Sequence, residues 1–477
     1  MRTSPVLTLY ALTIIFSNSF LHAKTVHVLD LNTYLDQVRS QNDEWKGSNL
    51  AAQGAMLRSE EGELLLSPSI FGEGSYTRNE RETFTPSFQG RRTDTQLFSL
   101  GIGQQTTFGL NAKAGYVWGS THIFGTDSNF VQTPSYWEGS PYIEMTQSLW
   151  RNFLGSEVKA NQVLIHSQAM AIHYRELFKN KELLSDAEYT YWRLSLAREN
   201  LMIQQDSIER SEKLRKWSEK QLNNNLVDKG EYFQTIASFE SRRFEFQSAQ
   251  HEEAQSARAF NTYRKIEKEN VDETLENISE LQIDKLTLPQ KMPYREDVLE
   301  TQELENAARA ASIVGREKNR PRLELFGNMT LFGREERFES AYDESLTDKH
   351  PVYTVGIRLN AAIDFDNVSN VKQGYSYETT AADLRFRGKY FNQEQRWKDL
   401  NLRFKEAKIR WKTALAAEKA QKQKVDHERT KHTRGRTTVY QVLQFEQDYA
   451  NTQLMRINSQ VQVIDLFTEL KTFGAKS

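Results

Sequence analysis

Apolar positions recur every seven residues along two long stretches of this chain, and those stretches set its plan. From Gly155 to Leu222 the rows Leu177/Leu184/Tyr191 and Ala187/Leu194/Leu201/Ile208 predict a helix packed lengthwise against other helices. From about Val368 to Lys431 an aromatic row, Tyr390/Trp397/Phe404/Trp411, runs beside a row of Leu400/Ala407/Ala414, so large residues face small ones. A helix of roughly 65 residues would run about 100 Å, longer than any compact domain needs. Each stretch stops at a polar break, Asn223-Asn224-Asn225-Leu226-Val227-Asp228 in one case and Arg434-Gly435-Arg436-Thr437-Thr438 in the other. Helical periodicity then resumes, from about Gly230 to Ile266 and through Leu443/Ala450/Ile457/Ile464.

Between the helices the period changes to two. Residues 69–79, Leu97 to Thr107, Leu110 to Trp118, Tyr142 to Trp150, the run after Pro321 and Val352 to Asn360 read as strands. In the last, Tyr353, Val355, Ile357 and Leu359 face one way and Thr354, Gly356, Arg358 and Asn360 the other. Helices precede each strand group, Asp30 (as N-cap) to Leu65 and Arg295 to Lys318, and Pro68 and Pro321 end them.

This order occurs twice. Asn225 and Gly435 lie 210 residues apart, Pro68 and Pro321 253 apart, so the first copy carries an insertion of about 40 residues, assigned to the hairpin 96–119. The expected organisation is a signal peptide at 1–23, a first repeat at 24–266 with its helix pair broken near 223–231, a connector at 267–293, and a second repeat at 294–477 broken near 432–441. The fold class is α+β, a tandem helix, strand, strand, long helix repeat.

Composition narrows the setting. Met1 to Ala23 has the charge, apolar run and small residues of a secretory signal, with Leu21-His22-Ala23 and Ser17-Asn18-Ser19 competing as cleavage sites. The 477 residues include no Cys, so disulfides and thiolate metal sites are excluded, and a net charge of −2 argues against nucleic acid as a partner. No later segment approaches the ~20 apolar residues of a spanning helix, which leaves a periplasmic protein, a secreted one or an outer-membrane barrel. Two-faced strands suit a barrel wall. With the hairpin 96–119 set aside, to extend the strands outside the cell or to add to the wall, the four that remain cannot close one, since about eight is the minimum, but three copies would supply twelve.

The paired breaks, with Glu144-Met145-Thr146-Gln147-Ser148-Leu149 leading into a long helix and Arg295-Glu296-Asp297-Val298 leading to Pro321, resemble the TolC-type outer membrane efflux protein family over essentially the whole mature chain. The resemblance implies a homotrimer: a twelve-stranded β-barrel in outer-membrane lipid, continued by a long coiled-coil helical barrel into the periplasm. It further implies partnership with a periplasmic adaptor (membrane fusion) protein and an inner-membrane pump, for efflux or type I secretion. It places an aperture at Asp228, Glu231, Arg434, Arg436, Gln441 and Gln444, and adaptor contacts at Asn225, Leu226, Val227, Gly435, Thr437, Thr438 and Val439. The family carries acidic residues where Gln441 and Gln444 stand, so a cation-blocked ring is not expected here. Glu231 is expected to pair with Arg434 or Arg436.

Nothing in the chain calls for a cofactor or catalysis. His166 and His173 lie seven apart with no third ligand, Gly101-Ile102-Gly103 sits in a strand pattern without a following helix, and no nucleophile–base arrangement is present. The rival from another class is a soluble periplasmic or secreted coiled-coil scaffold whose strands form a small cap.

Overall fold

The computed structural model describes residues 28–474, so the signal-peptide expectation lies outside the described residues. The first half runs β1 (Val28–Leu29), α1 (Leu31–Gln41), α2 (Asp43–Arg58), β2 (Ser69–Asn79), α3 (Pro86–Gln89), β3 (Arg92–Gln105), β4 (Leu110–Phe124), β5 (Ser135–Ser148), α4 (Ser156–Asn223) and α5 (Lys229–Tyr263). The second runs β6 (Thr274–Leu275), α6 (Glu280–Lys285), α7 (Glu296–Lys318), β7 (Arg322–Leu331), β8 (Gly333–Glu335), α8 (Phe338–Ser345), β9 (Pro351–Asn360), α9 (Phe365–Thr433) and α10 (Val439–Lys471).

The two long helices, α4 with 68 residues and α9 with 69, each extend about 100 Å. Asp30 caps α1 by accepting from the Thr33 N–H at 2.9 Å, as its position before the apolar run predicts. The single helix expected up to Leu65 is divided: Asn42 takes an extended conformation, its side chain accepts from the Trp45 N–H, and a 3₁₀ stretch, Ser59–Leu66, closes the segment. Such side-chain competition for the backbone is characteristic of Asn.

β2, β3, β4, β5, β7 and β9 form one sheet in that order, every neighbour antiparallel, with short β8 on the upper end of β5. Four wall strands were expected in addition to a hairpin of undecided place; the hairpin β3–β4 is in the sheet, between β2 and β5. It is also longer than predicted, because Thr93, Asp94 and Thr95 are too polar to read as strand yet pair with Asn79, Arg78 and Thr77. The register carries one apolar row across all six strands, Ile70–Ile102–Ala114–Ile143–Met329–Tyr353. The adjacent row on the opposite face is Ser69–Gly103–Lys113–Glu144–Asn328–Thr354. On that second face Phe71 lies over Gly101 and Tyr142 over Gly115, where a Cβ would come within 2.4 and 2.9 Å of the rings.

The turn between β3 and β4 docks beneath the junction of β5 and α4. Gly109 (φ +85°) and Gly155 (φ +74°) both take left-handed conformations there, and a Cβ on Gly155 would meet the Thr107 carbonyl oxygen at 2.0 Å. The Ser148 N–H donates to the Gly109 carbonyl at 3.3 Å.

The core lies along the helices, away from the sheet. Tyr34, Tyr191, Leu194 and Phe260 are fully buried with Ile457 and Ile464 beside them, and Tyr34 stacks on Phe260 at 4.1 Å. A second cluster joins Leu400, Phe404 and Trp411 of the predicted heptad rows to Val463, Leu470 and Phe473. The 267–293 segment is more regular than its acidity suggests: β6 pairs in parallel with β1, and a capping box at Ser279 and Gln282 starts α6. His173 is engaged locally, on the Ala52 carbonyl at 2.8 Å. Truncation of the stacked ring, Phe260→Ala, should cost about 3–5 kcal/mol. The thermal midpoint of the helical circular dichroism signal should fall by several degrees, and an unchanged midpoint would show that this cluster does not hold the helices together.

Candidate functional site at the paired helix breaks

The two breaks have the same backbone. Asn225 (φ +54°) and Gly435 (φ +68°) are both left-handed, the N–H groups of Leu226 and Arg436 reach back to the carbonyls of Gln221 and Lys431, and those of Asn225 and Gly435 to Leu222 and His432. This is the Schellman closure, which satisfies carbonyls that a helix end would otherwise leave unpaired. Three residues on, Asp228 caps α5 by accepting from the Gly230 N–H, and Thr438 caps α10 by accepting from the Gln441 N–H. The 210-residue offset read from the sequence therefore aligns turn with turn and cap with cap.

The breaks sit together and are joined through α5 and α10. The Glu231 carboxylate accepts from the Val439 N–H at 3.1 Å, across 208 residues of chain. That N–H is the first of α10, where a helix leaves donors free and a negative charge is favoured. Glu231 therefore does not take the expected partner: among the described residues neither Arg434 nor Arg436 forms an ion pair, and both are exposed. Thr437 instead bonds to Gln441, and its hydroxyl, followed by Lys431 at 3.4 Å, holds the Glu428 carboxyl below the usual range. Gln441 and Gln444 are exposed, with Gln444 donating to Asp448 at 3.4 Å. Leu226 is 71% exposed and Val227 half-buried, at the outer surface of the first turn.

Above the breaks, α4, α5, α9 and α10 enclose a cavity of about 510 Å³ that sequence reasoning did not find, because its lining comes from four separate helices. Glu446 there bridges Arg429 at 2.5 Å and Arg210 at 3.3 Å, and buried Arg242 donates to Gln447 at 2.5 Å. Trp217 meets His432 edge-on at 4.7 Å. Burial lowers the His432 pKa from 6.5, while Glu231 acts in the opposite direction. The end of the bundle at the breaks is thus tied largely by polar links, where the middle is tied by a fully buried apolar core.

No family model matches the chain, and no curated protein sequence matches it. Solved structures do. It is similar to CusC, described through transmembrane channel formation, at 15% identity over 94% of both chains with a TM-score of 0.64. It is similar to the CmeC outer membrane channel of Campylobacter jejuni at 13% identity, over 99% of this chain and 95% of that one, with a TM-score of 0.65. The fold is that of the outer membrane channels. VceC of Vibrio cholerae, an outer membrane protein, has it too, at 13% identity over 93% and 96% of the two chains and a TM-score of 0.64. The resemblance to the TolC type read from the breaks holds for the channel fold as a whole, with the open protomer sheet added to the long helical bundle.

Two outcomes test this site. Glu231→Ala removes the acceptor at the start of α10, and amide exchange at Val439 and Tyr440 should rise roughly fivefold, the equivalent of about 1 kcal/mol for a lost cap; equal exchange would mean that the contact carries nothing. His432, with its folded pKa lowered, binds its proton first in the unfolded state, so its contribution to local stability is full above pH 6.5 and declines as pH falls through 6.5. Protection of the break amides, taken relative to their intrinsic exchange rates, should fall between pH 7 and 5.5, and His432→Phe should abolish that dependence.

Proposed function

We propose that three copies of this chain form a channel through the outer membrane, continued by a helical tunnel into the periplasm. The observation that carries this is the apolar row crossing every long strand of a sheet that ends in two open edges. Ile70 is 78% exposed, Tyr353 66%, Val355 78% and Ile357 70% in the single chain. A water-facing cap would not display such a face, whereas lipid requires it, with polar residues toward a wet lumen. No helix of the described residues is long and apolar enough to cross a membrane, so the sheet is the spanning element. Lipid tolerates no free strand edges, which calls for closure by further copies.

In this reading the paired breaks form the inner mouth. Asp228, Glu231, Arg434, Arg436, Gln441 and Gln444 line the aperture, and Asn225, Leu226, Val227, Gly435, Thr437, Thr438 and Val439 meet a periplasmic adaptor, which couples the channel to an inner-membrane pump. Substrates pass outward from pump or periplasm, by efflux or by type I secretion, and the protein does no chemistry on them. With amides at 441 and 444 and Glu231 half-buried against the Val439 N–H, the exposed carboxylate left at the mouth is that of Asp228, so a blocking cation is held weakly. The soluble-scaffold alternative leaves the apolar face without a partner.

The detergent-extracted protein should run as a trimer and give discrete conductance steps in a planar bilayer; a water-soluble monomer without conductance would sink the reading. Block by a trivalent cation should be weak, and the Gln441→Glu/Gln444→Glu variant, with six added carboxylates per trimer, should be blocked at about tenfold lower concentration. Equal block would place these two positions away from the aperture.

A further inference from the structure

We propose that the wall of the assembled channel has eighteen strands, and that its lumen is correspondingly wider than the twelve-stranded tube expected from the repeat. This rests on the trimeric reading above and adds the contribution of the hairpin β3–β4.

Three observations place that hairpin in the wall. First, it is hydrogen-bonded on both sides along its whole length, β3 to β2 from Thr93 to Gly103 and β4 to β5 from Leu110 to His122. Removing it would leave β2 and β5 without their partners. Second, its faces match those of its neighbours. Ile102, Leu100 and Phe98 on β3 and Ala112, Ala114, Tyr116 and Trp118 on β4 continue the apolar face; Ser99, Lys113 and Asn111 continue the polar one. A hairpin standing in water beyond the membrane has no reason to keep that alternation in step with the strands on either side. Third, its turn is seated under the β5–α4 junction by the Gly109 and Gly155 conformations and the Ser148 to Gly109 hydrogen bond, so its lower end is level with the ends of the other strands.

Closure follows from parity. With six long strands alternating in direction, β2 and β9 run opposite ways, so β9 of one copy can pair antiparallel with β2 of the next and no edge stays free. Eighteen strands spaced ~4.8 Å apart and tilted ~40° give a wall radius of about 18 Å, against about 12 Å for twelve. The enclosed cross-section roughly doubles, so the outer end of the channel admits bulkier solutes and the mouth at the helix breaks is left as the narrow point.

The absence of Cys from the chain makes the test direct. Single cysteines are placed on the hairpin at Leu100→Cys and Ala114→Cys on one face, and at Ser99→Cys and Lys113→Cys on the other. In trimers reconstituted into liposomes, a hydrophilic maleimide should label the Ser99 and Lys113 variants at least tenfold faster, and a lipid-soluble maleimide should reverse the preference. In planar bilayers, polyethylene glycol of about 10 Å hydrodynamic radius added on the extracellular side should enter the lumen and lower conductance, whereas a twelve-stranded wall, with its side chains, leaves a lumen of only about 7 Å radius and excludes it. Trimers in which all four cysteines label equally with the hydrophilic reagent, or which exclude that polymer, would overturn the wide wall while leaving the channel intact. A monomer without conductance would instead overturn the channel reading itself.

Discussion

An antiparallel sheet with one apolar face and two unpaired edges is the constraint on which the rest of this molecule depends. Its apolar row, from Ile70 to Tyr353, cannot stay in water, and its edges at β2 and β9 cannot stay in lipid, where each unpaired backbone group costs several kcal/mol. In the proposed channel both demands are met by joining other copies edge to edge in a closed wall, and the polar face then follows from the same geometry, because alternate residues of a strand point to opposite sides.

The helices solve a different problem. They extend about 100 Å with little cross-sectional core, so stability must come from rows of side chains repeated along their length. The buried clusters around Tyr34, Tyr191 and Phe260 and around Leu400, Phe404 and Trp411 are local thickenings of those rows. Toward the breaks the packing changes character: Glu446 with its two arginines, Trp217 against His432, and Glu231 on the Val439 N–H join the buried Val439 and Val442. Polar contacts that water can replace are exchanged more readily than the burial of a Tyr–Phe stack.

Internal duplication explains why the two breaks agree so closely. Each needs a residue that tolerates the left-handed region to close its helix, then a short polar side chain to cap the next. Asn225 with Asp228 and Gly435 with Thr438 meet those needs by different residues. The copies differ in the hairpin that only the first contains, and the sheet accommodates it because a pair of strands preserves the alternation of direction at every boundary.

What the sequence determined by itself was whatever is governed by short-range periodicity and local stereochemistry. Heptad rows announced α4 and α9, alternation announced β2, β5 and β9, Asp30 announced the start of α1, and the Asn225/Gly435 alignment announced two equivalent turns. Tertiary structure alone decided what depends on partners distant in the chain. Thr93 to Thr95 become strand because Thr77 to Asn79 lie opposite them; β6 forms because β1 is there to pair with it; the hairpin belongs to the sheet because β2 and β5 offer edges on both sides. Glu231 finds the N–H of Val439 in place of an arginine side chain, since a helix N-terminus presents a fixed donor where an exposed arginine is free to turn to solvent. Pairings across 200 residues leave no periodic mark in a sequence, and only the folded chain brings them together.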